Sequence, residues 1–227
     1  PAKSWGHDLD AMADAITEST SIIFIANPNN PTGTSLDKAD IQAFLERVPD
    51  RVLVVLDEAY CEYIDDDSYP DGVSLLREFP NLIVTRTFSK AWGLAGLRVG
   101  YAICGIDITD VLNRVRHPFN VNSIALAAAT AALSDCDYLN EGRTLNQKGL
   151  QQIGEGLSAL GLSFIPSSGN FITFDTGRVG MDVYDALLAE GVIVRPVANY
   201  GMPAHIRVSV GLESENARFL SALAKVI

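Results

Sequence analysis

The chain has 227 residues, of which 48% are hydrophobic and 20% are charged, a composition typical of a folded globular protein rather than a disordered one. Its 17 lysines and arginines stand against 28 aspartates and glutamates, and the net charge of −11 argues against nucleic acid as a partner. No apolar run reaches the ~18–20 residues that cross a bilayer. Because no secretory leader is visible either, we expect no membrane partner and a cytoplasmic protein.

The first 136 residues predict an α/β domain. Strands are predicted at 21–26, 51–56, 81–87 and 98–104, and helices at 35–48 (capped by Ser35), 109–116 and 123–133. Continuously apolar strands that alternate with helices are typical of a parallel sheet covered on both faces.

The pattern changes near residue 137, which we take as the boundary between a first domain, 1–136, and a second domain, 137–227. A long helix is predicted at 137–160, although its glycines weaken that prediction. Strands at 170–175, 192–195 and 206–210 and helices at 181–190 and 213–226 follow. This order predicts a smaller α+β domain.

The three cysteines, Cys61, Cys104 and Cys136, are widely spaced, and none stands in a CxxC motif or a His/Cys cluster. We therefore expect buried, reduced thiols and no metal site.

Two motifs follow the first two predicted strands of the sheet, at the edge where open parallel sheets bind ligands. NPNNPTG at 27–33 is rich in turn residues and also fits a plain strand-to-helix connection. DEAY at 57–60 places the carboxylate of Asp57 at the tip of a buried strand, where a charge needs a partner. A helix cap, an ion pair and a metal ligand all remain open for Asp57.

A third motif, TFSK at 87–90, is followed by several glycines and by Arg98. It matches neither the Walker A loop nor GxGxxG. Hydroxyls with an arginine favour a phosphate, and a lysine amine forms a Schiff base with an aldehyde. A surface lysine beside a glycine-rich bend is the alternative.

Two arginines, Arg195 and Arg207, lie on predicted strands of the second domain and indicate either an anion site or a structural ion pair. Together, the four features supply what pyridoxal phosphate (PLP) needs: an acidic partner for the ring nitrogen, a lysine for the aldehyde and cations for the phosphate.

In these segments the chain resembles the fold-type I, aspartate-aminotransferase-like PLP enzymes, and within them the histidinol-phosphate aminotransferases. The matching segments are NPNNPTG (27–33), DEAYCEY (57–63), TRTFSKAWGLAGLRVGYA (85–102), PFNVN (118–122), SSGNFITF (167–174) and EGVIVRPVANYGMPAHIRVSVG (190–211). The resemblance implies a mostly parallel sheet with helices on both faces and a smaller C-terminal α+β domain.

The resemblance also implies roles for individual residues. Lys90 matches the Schiff-base lysine, and Asp57 matches the carboxylate that pairs with the ring nitrogen. The residues that match ligands of the ring hydroxyl are Asn30 and Tyr60, and those that match phosphate ligands are Thr87, Ser89 and Arg98. Arg207 matches the arginine that holds the substrate's α-carboxylate in aminotransferases, or the phosphate of histidinol phosphate in this subgroup, and Arg195 matches its companion. Asn170 lies in a motif that borders the site.

These matches imply transamination of histidinol phosphate with 2-oxoglutarate, in histidine biosynthesis, by a ping-pong mechanism in a homodimer. The alternatives are an aromatic aminotransferase, a threonine-phosphate decarboxylase and the non-catalytic PLP-binding domain of a regulator.

Members of the family are longer at the N-terminus, where they carry an upstream phosphate-binding loop, an aromatic residue that stacks on the cofactor, and a tyrosine that reaches the partner subunit. We therefore expect this chain to be the C-terminal portion of such an enzyme, without the front of its large domain. On its own, such a portion is expected to bind the cofactor weakly or to be inactive.

Overall fold

The computed structural model describes residues 2–66 and 68–227, and the chain forms two compact units. The first unit comprises the residues up to Pro28 together with Ser35–Asn140, and the second comprises Asn29–Thr34 and Glu141–Ile227. The domain boundary placed near residue 137 stays a prediction, and it did not foresee that Asn29–Thr34 belongs to the second unit. No helix of the described residues is both long and apolar enough to cross a membrane.

The first unit is built around one four-stranded sheet. Its elements are β1 Ala2–Lys3, β2 Gly6–His7, α1 Leu9–Asp14, β3 Ile22–Ala26, α2 Lys38–Arg47, β4 Leu53–Asp57, α3 Gly72–Leu75, β5 Leu82–Thr87, β6 Gly100–Cys104, α4 Ile106–Val115, α5 Ser123–Ala132 and the start of α6, Cys136–Ala159. The sheet order is β3-β4-β5-β6, and β1 pairs with β2 apart from it.

Strands β3, β4 and β5 are parallel, so the mostly parallel sheet predicted from the sequence is confirmed. Strand β6 runs antiparallel to β5, with Thr87 opposite Gly100. The reason lies in the connection: between these residues the chain forms a 3₁₀ turn at Ala95–Leu97, whereas a parallel pair needs a crossover, usually a helix.

Apolar side chains of β4, β5 and α2 form the core of this unit, among them Leu56, Val84 and Phe44. Their burial removes apolar surface from water, which is the main favourable contribution to folding. On the outer strand β3, Ile25 is buried but Phe24, which points the other way, is 69% exposed.

The second unit packs three helices with an antiparallel sheet, which agrees with the predicted α+β pattern. Its elements are the remainder of α6, β7 Phe164–Ile165, β8 Phe171–Asp175, α7 Gly180–Ala189, β9 Arg195–Pro196, β10 His205–Ser209 and α8 Glu213–Val226. The sheet order is β7-β8-β10-β9, and every pair is antiparallel. Its core includes Ile153, Leu187 and Phe219 from the helices and Phe174 and Ile206 from the strands.

Two predicted element boundaries are wrong for local reasons. Helix α2 begins at Lys38 with Asp37 as its N-cap, so Ser35 is not the capping residue. The buried Asn27 side chain binds both the backbone N–H of Leu36, at 2.8 Å, and its carbonyl oxygen, at 3.2 Å, which holds this stretch out of the helix. The strand predicted from residue 98 begins at Gly100, because Arg98 is left-handed.

Candidate active site

The carboxylate of Asp57 lies at the C-terminal edge of the sheet, as the last residue of β4. Its Oδ1 accepts a hydrogen bond from the backbone N–H of Ala59 at 3.2 Å, and its backbone oxygen accepts one from Asn27 N at 2.9 Å. The expectation of a buried charge at this position is wrong, because Asp57 is exposed. An exposed carboxylate at this edge remains accessible to a cationic partner.

Lys90 and Tyr60 come together across the ends of two adjacent strands. Tyr60 is 5% exposed and precedes a 3₁₀ turn at Cys61–Tyr63, and Lys90 follows β5. The Lys90 Nζ lies 5.3 Å from the centroid of the Tyr60 ring, which is cation–π distance. The structure thus brings two of the residues predicted from separate motifs into contact.

The three predicted phosphate ligands are joined by hydrogen bonds. The backbone N–H of Ser89 donates to Thr87 Oγ1 at 3.1 Å, and Arg98 Nη1 donates to Ser89 Oγ at 3.4 Å and to the Ala95 carbonyl at 3.0 Å. Two hydroxyls and an exposed guanidinium therefore lie together after β5. This donor set suits a phosphate group.

The backbone of this loop is unusual at Arg98, whose φ of 55° and ψ of 48° lie in the left-handed region. This region costs a side-chain-bearing residue roughly 1 kcal/mol or more, and such residues cluster at functional sites. Gly93, with a φ of +71°, is also left-handed, and a Cβ there would lie 2.4 Å from the Tyr138 hydroxyl. The left-handed backbone therefore favours a glycine at 93, while the Tyr138 side chain, which is exposed, would have to shift to admit a Cβ.

An ion pair between a fully buried carboxylate and a half-buried arginine, which the sequence analysis did not identify, lies beside Asp57. Glu58 is 0% exposed, and its Oε2 accepts hydrogen bonds from Arg86 Nε at 2.9 Å and Nη2 at 2.7 Å. Its Oε1 accepts the Gly72 N–H at 2.8 Å, and Arg86 Nη2 also donates to the exposed Asp71 at 2.8 Å. Burial raises the pKa of Glu58 above its ordinary value, and Arg86 offsets part of that rise. In the sequence, this ion pair was indicated only by a second carboxylate directly after Asp57 and by an arginine on the next predicted strand.

The cysteines do not contribute reactive groups to this region. Burial, followed by the neighbouring Glu62 carboxylate, raises the pKa of the Cys61 thiol, so the unreactive neutral form is favoured. All three cysteines are free. The expectation that they are buried is wrong for Cys136, which is exposed, and Cys61 and Cys104 are half-buried.

In the second unit, Arg207 contacts two residues distant in sequence. Its Nη1 donates to Asn30 Oδ1 at 2.5 Å, across 177 residues of chain, and its guanidinium carbon lies 4.9 Å from the centroid of the Phe171 ring. The Arg207 Nε is buried and has no hydrogen-bond partner among the described residues. The buried Thr173 hydroxyl donates to the Pro31 carbonyl and fixes the segment that carries Asn30. Phe171 and Thr173 lie in the matching segment SSGNFITF (167–174), but the sequence analysis gave neither of them a role.

Arg195 and Arg207 are directly opposite each other on β9 and β10. Like charges at opposed positions destabilise a sheet, and a bound anion would relieve the repulsion. Asn170, the last of the predicted residues, is half-buried just before β8, and its carbonyl accepts the Val210 N–H at 2.9 Å. Asn30, Arg195 and Arg207 are thus grouped by β10 and its neighbours.

Two curated relatives match the chain over its whole length. Histidinol-phosphate aminotransferase 2 of Pseudomonas fluorescens is 60% identical over 227 residues, and the protein of the same name from Pseudomonas aeruginosa is 61% identical over 226 residues. Each alignment covers 100% of this chain and 61% of the relative. The chain thus spans about three fifths of the length of these relatives.

A solved structure shows the same fold. The crystal structure of histidinol-phosphate aminotransferase from Sinorhizobium meliloti, in complex with pyridoxal-5'-phosphate, is similar with a TM-score of 0.91 and 35% sequence identity. The similarity covers 99% of this chain and 62% of that one, which confirms the fold-type I architecture inferred from the sequence. The family model described as "Aminotransferase class I and II" matches residues 1–223. The chain therefore belongs to the aminotransferase class I and II family.

Proposed function

We propose that this chain carries cofactor- and substrate-binding residues of a PLP-dependent aminotransferase in histidine biosynthesis, which transfers the amino group of histidinol phosphate to 2-oxoglutarate. The observation that carries the proposal is the hydrogen-bonded set of Thr87, Ser89 and Arg98 beside Lys90. The identity of about 60% with proteins named histidinol-phosphate aminotransferase supports the choice of substrate.

The residues present in the first unit fit PLP. Two hydroxyls and the Arg98 guanidinium would hold the phosphate, the exposed Asp57 carboxylate would hold a proton on the ring nitrogen, and Tyr60 would donate to the ring hydroxyl. When bound, the cofactor supplies an aldehyde for an amine and a protonated ring that accepts the electrons of a broken Cα–H bond. The Lys90 Nζ would take the substrate's Cα proton as a base and return it as an acid.

The arginines of the second unit would bind the anionic end of the substrate. The buried, unpartnered Nε of Arg207 and the exposed guanidinium opposite it supply donors to a phosphate or carboxylate. Asn30, whose Oδ1 accepts from Arg207, would use its Nδ2 as a donor to the cofactor's ring hydroxyl. Asn170 would border the same substrate.

The first test is covalent trapping at Lys90. After incubation of the whole protein with excess PLP and reduction by borohydride, peptide mass spectrometry is expected to find the cofactor mainly on the Lys90 peptide. Lys90→Ala should abolish this product, whereas Lys38→Ala, at an exposed lysine of α2, should leave it unchanged. Equal trapping at the two lysines in the parent chain would contradict the proposed function.

The substrate is tested on the whole protein. We expect transamination of histidinol phosphate to exceed that of aromatic amino acids, and no decarboxylation of threonine phosphate. Arg207→Gln should raise the KM for histidinol phosphate by about tenfold or more, since a charge-assisted pair contributes about 1.5–3 kcal/mol. A preference for an aromatic amino acid would assign the protein to the alternative aminotransferase class.

We also propose that the whole protein is a homodimer. Apolar side chains of α4, α5 and the segment between them are exposed, including Ile106, Phe119 and Ile124, at 80%, 97% and 73%. These side chains all come from one stretch of the chain, 106–124, and we take this stretch as the interaction surface of the proposed dimer. Light scattering of the whole protein checks the mass, and a monomer would contradict this part of the proposal.

A further inference from the structure

The Glu58–Arg86 pair joins the two strands that carry the proposed cofactor residues. Glu58 directly follows Asp57 at the end of β4, and Arg86 directly precedes Thr87 at the end of β5. The backbone N–H of Glu58 also donates to the Thr85 carbonyl at 2.9 Å, so the pair closes the last rung between these strands.

The pair and the proposed site residues lie on opposite faces of the sheet. Successive side chains of a strand point to opposite faces, so Arg86 points away from the face of Thr87. Asp57 is exposed, whereas Glu58 is fully buried, as this alternation requires. The ion pair therefore lies beneath the strand ends that present Asp57 and Thr87.

A second contact ties the same two segments further along the chain. The Trp92 indole N–H donates to Glu62 Oε1 at 3.1 Å. Lys90 precedes this tryptophan by two residues, and Tyr60 precedes the glutamate by two. The contact between Lys90 and Tyr60 thus lies between two hydrogen-bonded contacts that join the same segments. Of these two, the Glu58–Arg86 pair is the charged one, and its carboxylate is fully buried.

Stability alone does not account for a buried ion pair. Removing two charges from water costs several kcal/mol per ion, and well-packed neutral pairs of similar volume are often as stable or more so. A forked arginine–carboxylate pair instead fixes geometry, because two N–H groups and one carboxylate oxygen meet in only one arrangement.

We propose that Glu58 and Arg86 are positioning residues, whose forked ion pair sets the register of the β4 and β5 ends and so aims Asp57 and Lys90 at the cofactor. This inference rests on the proposed function, because it concerns how the chain presents these two groups to PLP. A displacement of about 1 Å at reacting groups costs up to 100-fold in rate, which sets the scale of the expected effect.

The test uses two variants that leave the net charge unchanged. Arg86→Lys keeps the cation but loses the fork, and Glu58→Gln with Arg86→Met removes the pair, while the new amide oxygen still accepts the Gly72 N–H. Asp71→Asn is the matched control, because it removes the exposed negative charge beside the same guanidinium and retains the Oδ1 that accepts from Arg86 and caps α3. Thermal unfolding of each protein reports whether it is folded.

Two readouts separate positioning from stability. The first readout is the ratio of PLP trapped by borohydride at Lys90 to PLP trapped at the exposed Lys38. We expect this ratio to fall roughly tenfold in both test variants and to be unchanged in Asp71→Asn. The second is the pH midpoint of the absorbance change of bound PLP, expected to rise by about half a pH unit or more. The rise is expected because Asp57, if displaced, would stabilise the protonated ring nitrogen less well, and the ring would then withdraw fewer electrons from the group that titrates.

Four results would overturn the inference. If both test variants fold and keep the parent's preference for Lys90 and its pH midpoint, the ion pair has only a structural role. Loss of the fold in both variants would lead to the same conclusion. A fall in Asp71→Asn equal to that in Arg86→Lys would show that the fork is irrelevant. If the parent itself shows no preference for Lys90 over Lys38, the proposed function fails and this inference fails with it.

Discussion

Two adjacent carboxylates at the end of β4 lie in opposite environments. The Asp57 side chain is exposed and, among the contacts described above, accepts only the Ala59 N–H of its own turn. Glu58, by contrast, is completely buried and bonds Arg86 and the Gly72 N–H. The difference follows from the alternation of side chains along a strand. One carboxylate is thereby available to a ligand, and the other is fixed within the fold.

Arg86→Met is expected to destabilise the chain by about 3–5 kcal/mol at neutral pH, because it leaves a buried carboxylate unpaired. Burial already raises the pKa of Glu58, and without Arg86 that pKa rises further above its unfolded value. The folded variant then binds more protons than the unfolded chain, so its stability falls as pH rises, by up to about 1.4 kcal/mol per pH unit. Urea unfolding of Arg86→Met and the parent chain should therefore show a smaller loss of unfolding free energy at pH 5 than at pH 8. An equal loss at the two pH values would contradict the role of the unpaired Glu58 carboxylate.

The sequence motifs predicted the positions of the candidate site residues, but not the burial and contacts of the residues around them. Lys90, Asp57 and Arg98 could be selected because each stands in a local pattern at a strand end. The burial of Glu58 could not be predicted, since it depends on an arginine 28 residues away. The same holds for Phe171, which becomes notable only when Arg207 packs over its ring.

Helix α6 is continuous from Cys136 to Ala159 although it contains four glycines. Two of them are at close contacts: a Cβ at Gly149 would lie 2.3 Å from Val210 Cγ1, and one at Gly156 would lie 2.4 Å from Leu220 Cδ1. Tertiary packing thus accounts for glycines that weakened the prediction of this helix. Gly142, by contrast, has no atom within 4 Å of such a Cβ.

The same substitution is therefore expected to act in opposite directions within α6. Gly142→Ala should stabilise the chain by about 0.5–1 kcal/mol, because alanine loses less backbone entropy in a helix. Gly149→Ala should destabilise it by about 1–3 kcal/mol, because the methyl group overpacks against Val210. Urea unfolding of the two variants beside the parent measures both, and a gain in stability at Gly149 would contradict the packing argument.

The elements themselves were largely predictable because hydrophobic runs mark buried strands. The direction of β6 was not, since the sequence shows a strand but not the absence of a crossover helix before it. Strand β9 is only Arg195–Pro196, shorter than the predicted 192–195, because its apolar neighbour Val194 is buried in the core without pairing.

At the scale of the whole molecule, the charge is −11, yet the proposed ligands are anions. Long-range repulsion by the excess carboxylates therefore opposes the local attraction of the few cations at the candidate site. This field is screened over about 10 Å at 0.1 M salt.

Association of PLP with the chain is consequently expected to accelerate about two- to threefold between 0.01 and 0.15 M salt, because the repulsive field is screened first. Pyridoxal, which lacks the phosphate, is the matched control and should show little dependence on salt. Stopped-flow absorbance gives both rates. A rate that falls with salt would show that the local cations dominate the encounter instead.

The division of the chain was the least predictable feature. Asn29–Thr34 belongs to the second unit although its flanking residues belong to the first. The contacts responsible join Asn30 to Arg207 and Pro31 to Thr173, and no local pattern reports pairings over such distances along the chain. Turn residues predicted a loop here, but not its partner.

The left-handed backbone of Arg98 has a consequence for engineering this protein. Glycine relaxes such a conformation, so Arg98→Gly is expected to raise the unfolding free energy by up to about 1 kcal/mol, whereas Arg98→Lys is not. The same change removes the guanidinium and should weaken PLP binding by about tenfold or more, as measured by cofactor titration. A directed-evolution screen that rewards thermal tolerance alone would therefore select glycine at position 98 and discard the cofactor, so any such screen needs a parallel selection for turnover.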